Sequence, residues 1–211
     1  MDEDYDIVPA TVDDKERIAE YLRYNFYPNE PLNLAVGTPL NRPIEAIRGL
    51  LRLSDGTSFI AITKSGEIIG VVLNEEFTEE EVHEYSKPAF HNEAYYKVFT
   101  FVTMVEHNAN ILGQTGLDRG LFLHILSVHP KAGGRGIGKA LMTRSRDTAK
   151  AKGHPLLAIM CSSYYSARIA ESIGMECIYR LPYSEYKNEK GEQVFIPPPP
   201  HKEVKMYVLK L

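Results

Sequence analysis

Residues 126–141 hold the densest group of chemistry-bearing types in the chain. Leu126-Ser127-Val128 is strand-like, His129-Pro130-Lys131-Ala132 leaves it, and Gly133-Gly134-Arg135-Gly136-Ile137-Gly138 leads into Lys139-Ala140-Leu141. Four glycines in six positions let the backbone approach a ligand closely. A helix that begins here presents unpaired N–H groups and the positive end of its dipole, which suits a pyrophosphate. Arg135 and Lys139 add positive charge. The same cluster also reads as a tight turn and nothing more. Two other phosphate motifs fit less well. A P-loop needs Ser or Thr after Gly-Lys, and here Ala140 follows Gly138-Lys139. The dinucleotide fingerprint belongs early in a βαβ unit with an acid after the second strand, whereas the next apolar run here ends at Met160-Cys161.

Other reactive types are spread more widely. Ser162 and Ser166 stand four apart where an apolar run gives way to a helical pattern. Serine at a helix start is also an ordinary N-cap. His124 lies inside the apolar run Leu121 to Val128, where a core histidine with a satisfied hydrogen bond is equally at home. Glu30 sits in Tyr27-Pro28-Asn29-Glu30-Pro31, with a capping or solvated carboxylate as the plain alternative to a functional one. The seven histidines show no metal-ligand spacing, so no metal is expected. Phe26, Tyr27, Tyr95, Tyr96, Phe99, Phe101, Tyr164, Tyr165 and Tyr183 either wall a pocket or fill the core. Glu75-Glu76 and Glu79-Glu80-Glu81 read as a solvated face, or favour a polyamine.

The elements that must position these residues follow from periodicity. Tyr5 to Pro9 reads as a strand, and Asp14 to Phe26 as a helix with Thr11 or Asp13 at its N-cap. Tyr27 to Pro31 breaks that helix, and a second is expected from Pro43 to Leu53. Phe59 to Thr63 and Ile68 to Leu73 form a hairpin. Thr78 to Leu112 is mostly helical, Leu121 to Val128 a strand, Lys139 to Lys152 a helix closed by Gly153, and Leu156 to Met160 a short buried strand. Tyr164 to Ile173 is a helix closed by Gly174, and Cys177 to Leu181 and Lys205 to Leu211 are late strands. Pro197 to Pro200 reads as a stiff loop before the last strand. The order predicts an α/β domain with one mixed sheet.

The 211 residues allow one domain with a full core. A net charge of −4 argues against a nucleic-acid partner and is compatible with a cationic substrate. Two cysteines, Cys161 and Cys177, are too few for a disulfide framework. The acidic first ten residues lack an apolar h-region, and no apolar run reaches the roughly 20 residues of a membrane span. A cytoplasmic protein with no membrane partner is expected.

The glycine loop resembles the Arg/Gln-x-x-Gly-x-Gly/Ala loop of the GCN5-related N-acetyltransferases, with Gly136 and Gly138 matching and Gly133 in place of the first Arg or Gln. Ile173-Gly174-Met175 resembles that family's Leu-Gly-Phe, and the helix from Asp14, the hairpin and Leu121 to Val128 fall in its order. The resemblance covers nearly the whole chain. It implies a single N-acetyltransferase domain over residues 1–211 with the acyl-CoA N-acyltransferase (GNAT) fold: a mixed central sheet, splayed at the acetyl-CoA site, with helices on both faces. It also implies acetyl-CoA as co-substrate, held by Leu126, Ser127, Val128, Gly134, Arg135, Gly136, Ile137, Gly138, Lys139 and Ser166.

Finer marks resemble the insect arylalkylamine N-acetyltransferases. These are Phe26-Tyr27-Pro28-Asn29-Glu30-Pro31-Leu32, Leu126-Ser127-Val128, and His201 followed by Val204-Lys205-Met206-Tyr207-Val208. The resemblance makes Glu30 the catalytic base, and the chemistry explains why one is needed. A primary alkylamine, with a pKa of about 10 like lysine, arrives protonated and cannot attack a thioester until a carboxylate removes the proton, directly or through water. Ser162 and Ser166 match serines implicated in that group as proton donors or substrate binders. The generic family's acid, a tyrosine four residues before the Leu-Gly-Phe glycine, is here Ala170, so a serine, a nearby tyrosine or water must replace it. Phe122-Leu123-His124 keeps one histidine of the vertebrate enzymes' His-Leu-His, which adds His124 to the catalytic candidates. Tyr27, Glu30, Met160 and Tyr164 are the expected amine contacts. The implied activity is acetyl transfer to a small arylalkylamine in a ternary complex by a monomer or weak dimer. An aliphatic-amine transferase for agmatine or polyamines, and an inactive acyl-CoA-binding domain, are the alternatives.

Overall fold

The computed structural model describes residues 4–40, 44, 47, 49–78 and 92–211. Seven strands form one sheet in the order β1-β2-β3-β4-β5-β7-β6. They are β1 (Tyr5–Pro9), β2 (Phe59–Thr63), β3 (Ile68–Thr78), β4 (Arg119–Val128), β5 (Leu156–Cys161), β6 (Glu176–Pro182) and β7 (Glu203–Lys210). Every neighbouring pair is antiparallel except β4–β5, which is parallel. Its crossover is the helix over Ile137–Ala151.

Six α-helices accompany the sheet among the described residues: α1 (Lys15–Asn25), α2 (Pro31–Val36), α3 (Glu93–Ala109), α4 (Ile111–Thr115), α5 (Ile137–Ala151) and α6 (Tyr164–Ser172). Ile137, Leu141, Met142 and Ala149 of α5 and Ala167 and Ala170 of α6 pack with Val72, Leu121 and Leu123 in one buried cluster. The opposite faces of the same strands carry Val71, Leu73 and Ile125, which pack with Ile18, Tyr21 and Leu22 of α1, and Phe122, which packs with Phe101 and Val105 of α3. Helices thus cover both faces, the arrangement that the family resemblance implies. Burying apolar surface on both sides of a sheet explains why its central strands read as continuous apolar runs.

The structure departs from the sequence expectations in three places. Glu30-Pro31 does not only end a turn; it opens the short helix α2. The segment expected as a helix over Pro43 to Leu53 falls partly outside the described residues, and its described end is a 3-10 stretch, Leu50–Asp55, entered through Gly49 at φ 83°. β3 continues past Leu73 to Thr78, which the hairpin pattern did not predict. The first part of the long helical stretch expected from Thr78 lies outside the described residues. Among the described residues no helix is long and apolar enough to cross a membrane.

Candidate active site

β4 and β5 pair only over Leu121↔Leu157, Phe122↔Ala158 and Leu123↔Ile159, and then part. Each strand stays held on its other side. β4 runs on beside β3 through Leu73↔Ile125 to Gly70↔Val128, and β5 beside β7 through Met160↔Met206 and Cys161↔Lys205. The edges that separate keep backbone donors and acceptors without a cross-strand partner, a standing demand that a ligand can meet. The parting coincides with a β-bulge. Leu73 faces Ile125 while Asn74 faces Leu123, so His124 is the extra residue on β4. A bulge bends its strand and re-aims a side chain, and bulges gather beside active sites.

The cleft between the parted strands has a volume of about 210 Å3. From β4 it is lined by His124, Leu126, Ser127 and Val128, from β5 by Ile159 and Met160, and beyond β5 by Ser162, Ser163, Tyr165 and Ser166. Asn25, Phe26, Asn29, Glu30 and Pro31 close its far wall. Glu30, His124, Met160, Ser162 and Ser166 are widely separated in the chain, and the fold brings them to one place.

Glu30 is 8 % exposed and is the N-cap of α2. Its Oε1 accepts from the Leu32 amide at 3.1 Å and its Oε2 from the Asn33 amide at 2.8 Å. Pro31 at the first helical position needs no partner, so the carboxylate serves the first amides that do. Glu30 is therefore both a cap and a cleft carboxylate.

The His124 side chain is 8 % exposed, and its Nε2 lies 2.9 Å from Oε2 of Glu75 on β3. Arg52 donates from Nε to the other Glu75 oxygen at 3.4 Å. Glu76, on the next position, meets Nε2 of His154 at 3.2 Å. Glu75 and Glu76, read from sequence as a solvated face, are thus each engaged with a histidine. The alternating strand sends one to each face of the sheet. Glu79-Glu80-Glu81 lie outside the described residues.

The serines divide the work. Ser163, not Ser162, is the N-cap of α6, accepting from the Ser166 amide at 3.1 Å. The Ser166 hydroxyl donates to the Ser163 carbonyl at 3.1 Å. The Ser162 carbonyl accepts from the Tyr183 hydroxyl at 2.6 Å. Burial, reinforced by the negative charge of Glu30, pushes the Tyr183 phenol above the usual range, so it remains a fixed donor. Burial also pushes the Cys161 thiol up to about 12, which keeps it protonated and a poor nucleophile beside the cleft. Ser127 meets the Tyr21 hydroxyl of α1 at 3.4 Å. His201 accepts from the Tyr164 amide at Nδ1, 3.1 Å away, and so ties the approach to β7 to the start of α6. Sequence placed Tyr183 among the aromatics that wall a pocket or fill the core and His201 in a family mark, but their bonds to backbone groups leave no trace in side-chain spacing.

The glycine loop leaves β4 at Val128. Gly134 and Gly136 have φ of 78° and 77°, a conformation glycine tolerates best. Gly136 is the N-cap of α5 and has no side chain to satisfy that helix's first amides. A Cβ at Gly134 or Gly136 would meet nothing within 4 Å, so the space above the loop is open. Uncapped amides below open space fit a pyrophosphate. Gly138 serves packing instead: a Cβ there would lie 2.8 Å from Ile169 Cδ1 of α6. Lys139 is exposed, whereas the Arg135 guanidinium lies over the Tyr5 ring at 5.5 Å.

Two expected amine contacts are placed elsewhere. Tyr27 is 3 % exposed in the core cluster with Ile18 and Leu22, and its neighbour Phe26 faces the cleft instead. Tyr164 is 48 % exposed and does not line the cleft, while Tyr165 does. In both cases adjacent aromatics compete for one direction, and the local backbone decides which is used. Among the described residues no group of three or more His, Cys, Asp and Glu is placed to hold a metal ion.

Fold, splayed strands and uncapped glycine loop define an acyl-CoA-dependent transferase, and comparison with known proteins gives the class directly. The family profile described as Acetyltransferase (GNAT) domain matches residues 73–175. Residues 73–175 thus match a GNAT acetyltransferase domain, and the fold of the chain is that of such acetyltransferases. The chain is similar to arylalkylamine N-acetyltransferase 2 from Aedes aegypti, at 27% identity over 98% of this chain and 99% of that one, with a TM-score of 0.87. Mosquito arylalkylamine N-acetyltransferase like 5b is 25% identical over 99% and 100% of the two chains, with a TM-score of 0.85. A Drosophila melanogaster polyamine N-acetyltransferase that catalyses the formation of N-acetylagmatine is 27% identical over 99% and 100%, with a TM-score of 0.79.

Proposed function

We propose that the protein transfers the acetyl group of acetyl-CoA to the primary amine of a small arylalkylamine, of the dopamine, tyramine, octopamine, serotonin or tryptamine type, by direct attack in a ternary complex. The observation that carries the reading is the convergence of Glu30 with the parted edges of β4 and β5 in one cleft. Acetyl-CoA, when bound, supplies the thioester. The residues of this chain supply the rest. Amides of the glycine loop and of the first turn of α5 hold the pyrophosphate. The open edge of β4 over Leu126, Ser127 and Val128 aligns the thioester arm and offers N–H groups to its carbonyl oxygen.

Glu30 draws the ammonium into the cleft and takes up its proton, directly or through water. Phe26, Met160 and Tyr165 offer apolar and aromatic wall for a ring. Ser162 or Ser166 protonates the departing thiolate. This help is modest, because a CoA thiol with a pKa of about 8.5, like cysteine, leaves readily. Cys161 stays a thiol, which supports direct attack over an acetyl-cysteine intermediate.

The likeness to the Drosophila polyamine enzyme favours a second reading, an aliphatic diamine or agmatine acceptor. Such a substrate brings a second cation. Among the described residues lining the cleft, Glu30 is the one carboxylate, which favours a monocationic amine. Release of free CoA with a panel of arylalkylamines, agmatine and spermidine tests both readings. Turnover on arylalkylamines at least tenfold above agmatine is expected. Preference for agmatine would replace the first reading with the second, and no release with any amine would leave an acyl-CoA-binding domain.

A further inference from the structure

We propose that Glu75 is a positioning residue for the transfer, holding His124 with its hydrogen on Nε2 so that Nδ1 accepts the amine proton passed on from Glu30. The inference rests on the reading above and deepens it. The pair stands where β4 is bulged: His124 is the extra residue on that strand, and Glu75 lies opposite Phe122 on β3. Nε2 of His124 is 2.9 Å from Oε2 of Glu75, with the two side chains 8 % and 27 % exposed. An ionised carboxylate only accepts hydrogen bonds, so Nε2 must carry a hydrogen. A neutral imidazole has one N–H, so Nδ1 keeps its lone pair. Arg52 donates from Nε to the other Glu75 oxygen at 3.4 Å, so both oxygens of that carboxylate have partners.

Glu30 has a complementary limitation. Both of its oxygens already accept backbone amides. Such a carboxylate draws an ammonium into the cleft while its oxygens stay partly committed to the helix amides. A histidine whose second ring nitrogen keeps a lone pair gives the cleft another proton acceptor. The other titratable groups around the cleft do not compete. Tyr21 of α1, and Cys161 and Tyr183 beyond β5, are all kept protonated by burial.

The protons balance. An N–H bond of the ammonium breaks, its electron pair stays on nitrogen, and the proton moves through Glu30 and cleft water to Nδ1. The freed amine attacks the thioester and the carbon–sulfur bond breaks. The amide nitrogen then loses its second proton. Of the two protons released, one ends on the CoA sulfur and one in solvent, leaving His124 neutral.

The test combines kinetics with a measurement that needs no turnover. In E75Q we expect kcat to fall on the order of tenfold to a hundredfold, less than the 10²–10⁴-fold of a general base itself. KM for both substrates should stay within about twofold. E75D should recover part of the loss, and E75Q/H124Q should be no slower than H124Q, as expected for residues acting as one unit. Fully additive losses would overturn the proposal. Nitrogen-15 NMR of imidazole-labelled wild-type protein reads the tautomer directly, with His124 expected as Nε2–H. An Nδ1–H tautomer refutes the positioning role even if every amine is acetylated. An Nε2–H tautomer without acetylation of any amine would place the failure in the proposed function instead.

Discussion

The Asn33 amide donates to Oε2 of Glu30 at 2.8 Å, and that bond ties the cleft's carboxylate to the start of α2. One residue therefore carries two separable quantities, helix stability and proton transfer.

Replacing Glu30 separates them. Glu30→Ala removes the cap and should cost about 0.5–2 kcal/mol of stability. Glu30→Gln keeps a side-chain oxygen for one amide and should cost less. Both should lower turnover on the order of 10²–10⁴-fold while acetyl-CoA affinity stays unchanged. Denaturant melts, equilibrium binding and kcat on the same preparations check this. Turnover of Glu30→Gln within a few-fold of wild type would reduce Glu30 to a cap.

Gly136→Val should weaken acetyl-CoA binding at least tenfold. The substitution places a β-branched residue at φ 77° and fills the open space above the loop. Its backbone strain should cost of order 1–3 kcal/mol, so the variant is assayed where its melt shows it folded. Wild-type affinity in the folded variant would move the pyrophosphate off this loop.

Ser162→Ala and Ser166→Ala should differ in kind. Ser163 rather than Ser162 caps α6, and Ser162 serves Tyr183 through its carbonyl. The Ser166 hydroxyl bonds the Ser163 carbonyl at the first turn of α6. If Ser162 protonates the thiolate, its loss should lower kcat with little change in amine KM. Ser166→Ala should lower the melting temperature as well. A rise in amine KM alone in Ser162→Ala would indicate a binding role.

Stability should fall steeply in alkali. Burial raises the Tyr21 and Tyr183 phenols in the folded state, and burial followed by the Glu171 carboxylate raises Tyr207. A group raised on folding contributes stability that is complete below its unfolded pKa, about 10 for tyrosine, and is lost above it. Unfolding free energy should hold up to roughly pH 9.5 and then drop, with a shallower drop in Tyr183→Phe. Tyr183→Phe also leaves the Ser162 carbonyl without its donor and should cost about 1–3 kcal/mol at neutral pH. A flat pH profile through pH 11 would contradict the burial of these hydroxyls.

By itself the sequence determined what local physics can encode. Apolar runs and alternation marked six of the seven strands close to their observed ends, because strands covered on both faces are apolar throughout and half-covered ones alternate. Glycines at positions 134 and 136 announced backbone that other residues enter at a cost, and the helix after them announced free amides. Family resemblance then lent Glu30, Ser162 and His124 their candidate roles.

Tertiary structure alone decided how these residues meet. The bulge that makes His124 an extra residue depends on the register between two strands about fifty positions apart, and no periodicity within either strand contains it. The pairing of Glu75 with His124, the choice of Phe26 over Tyr27 to face the cleft, and the hold of Tyr183 on the Ser162 carbonyl arise the same way. Each joins groups distant in sequence, or a side chain to a backbone atom, and side-chain spacing along one strand or helix carries no record of either.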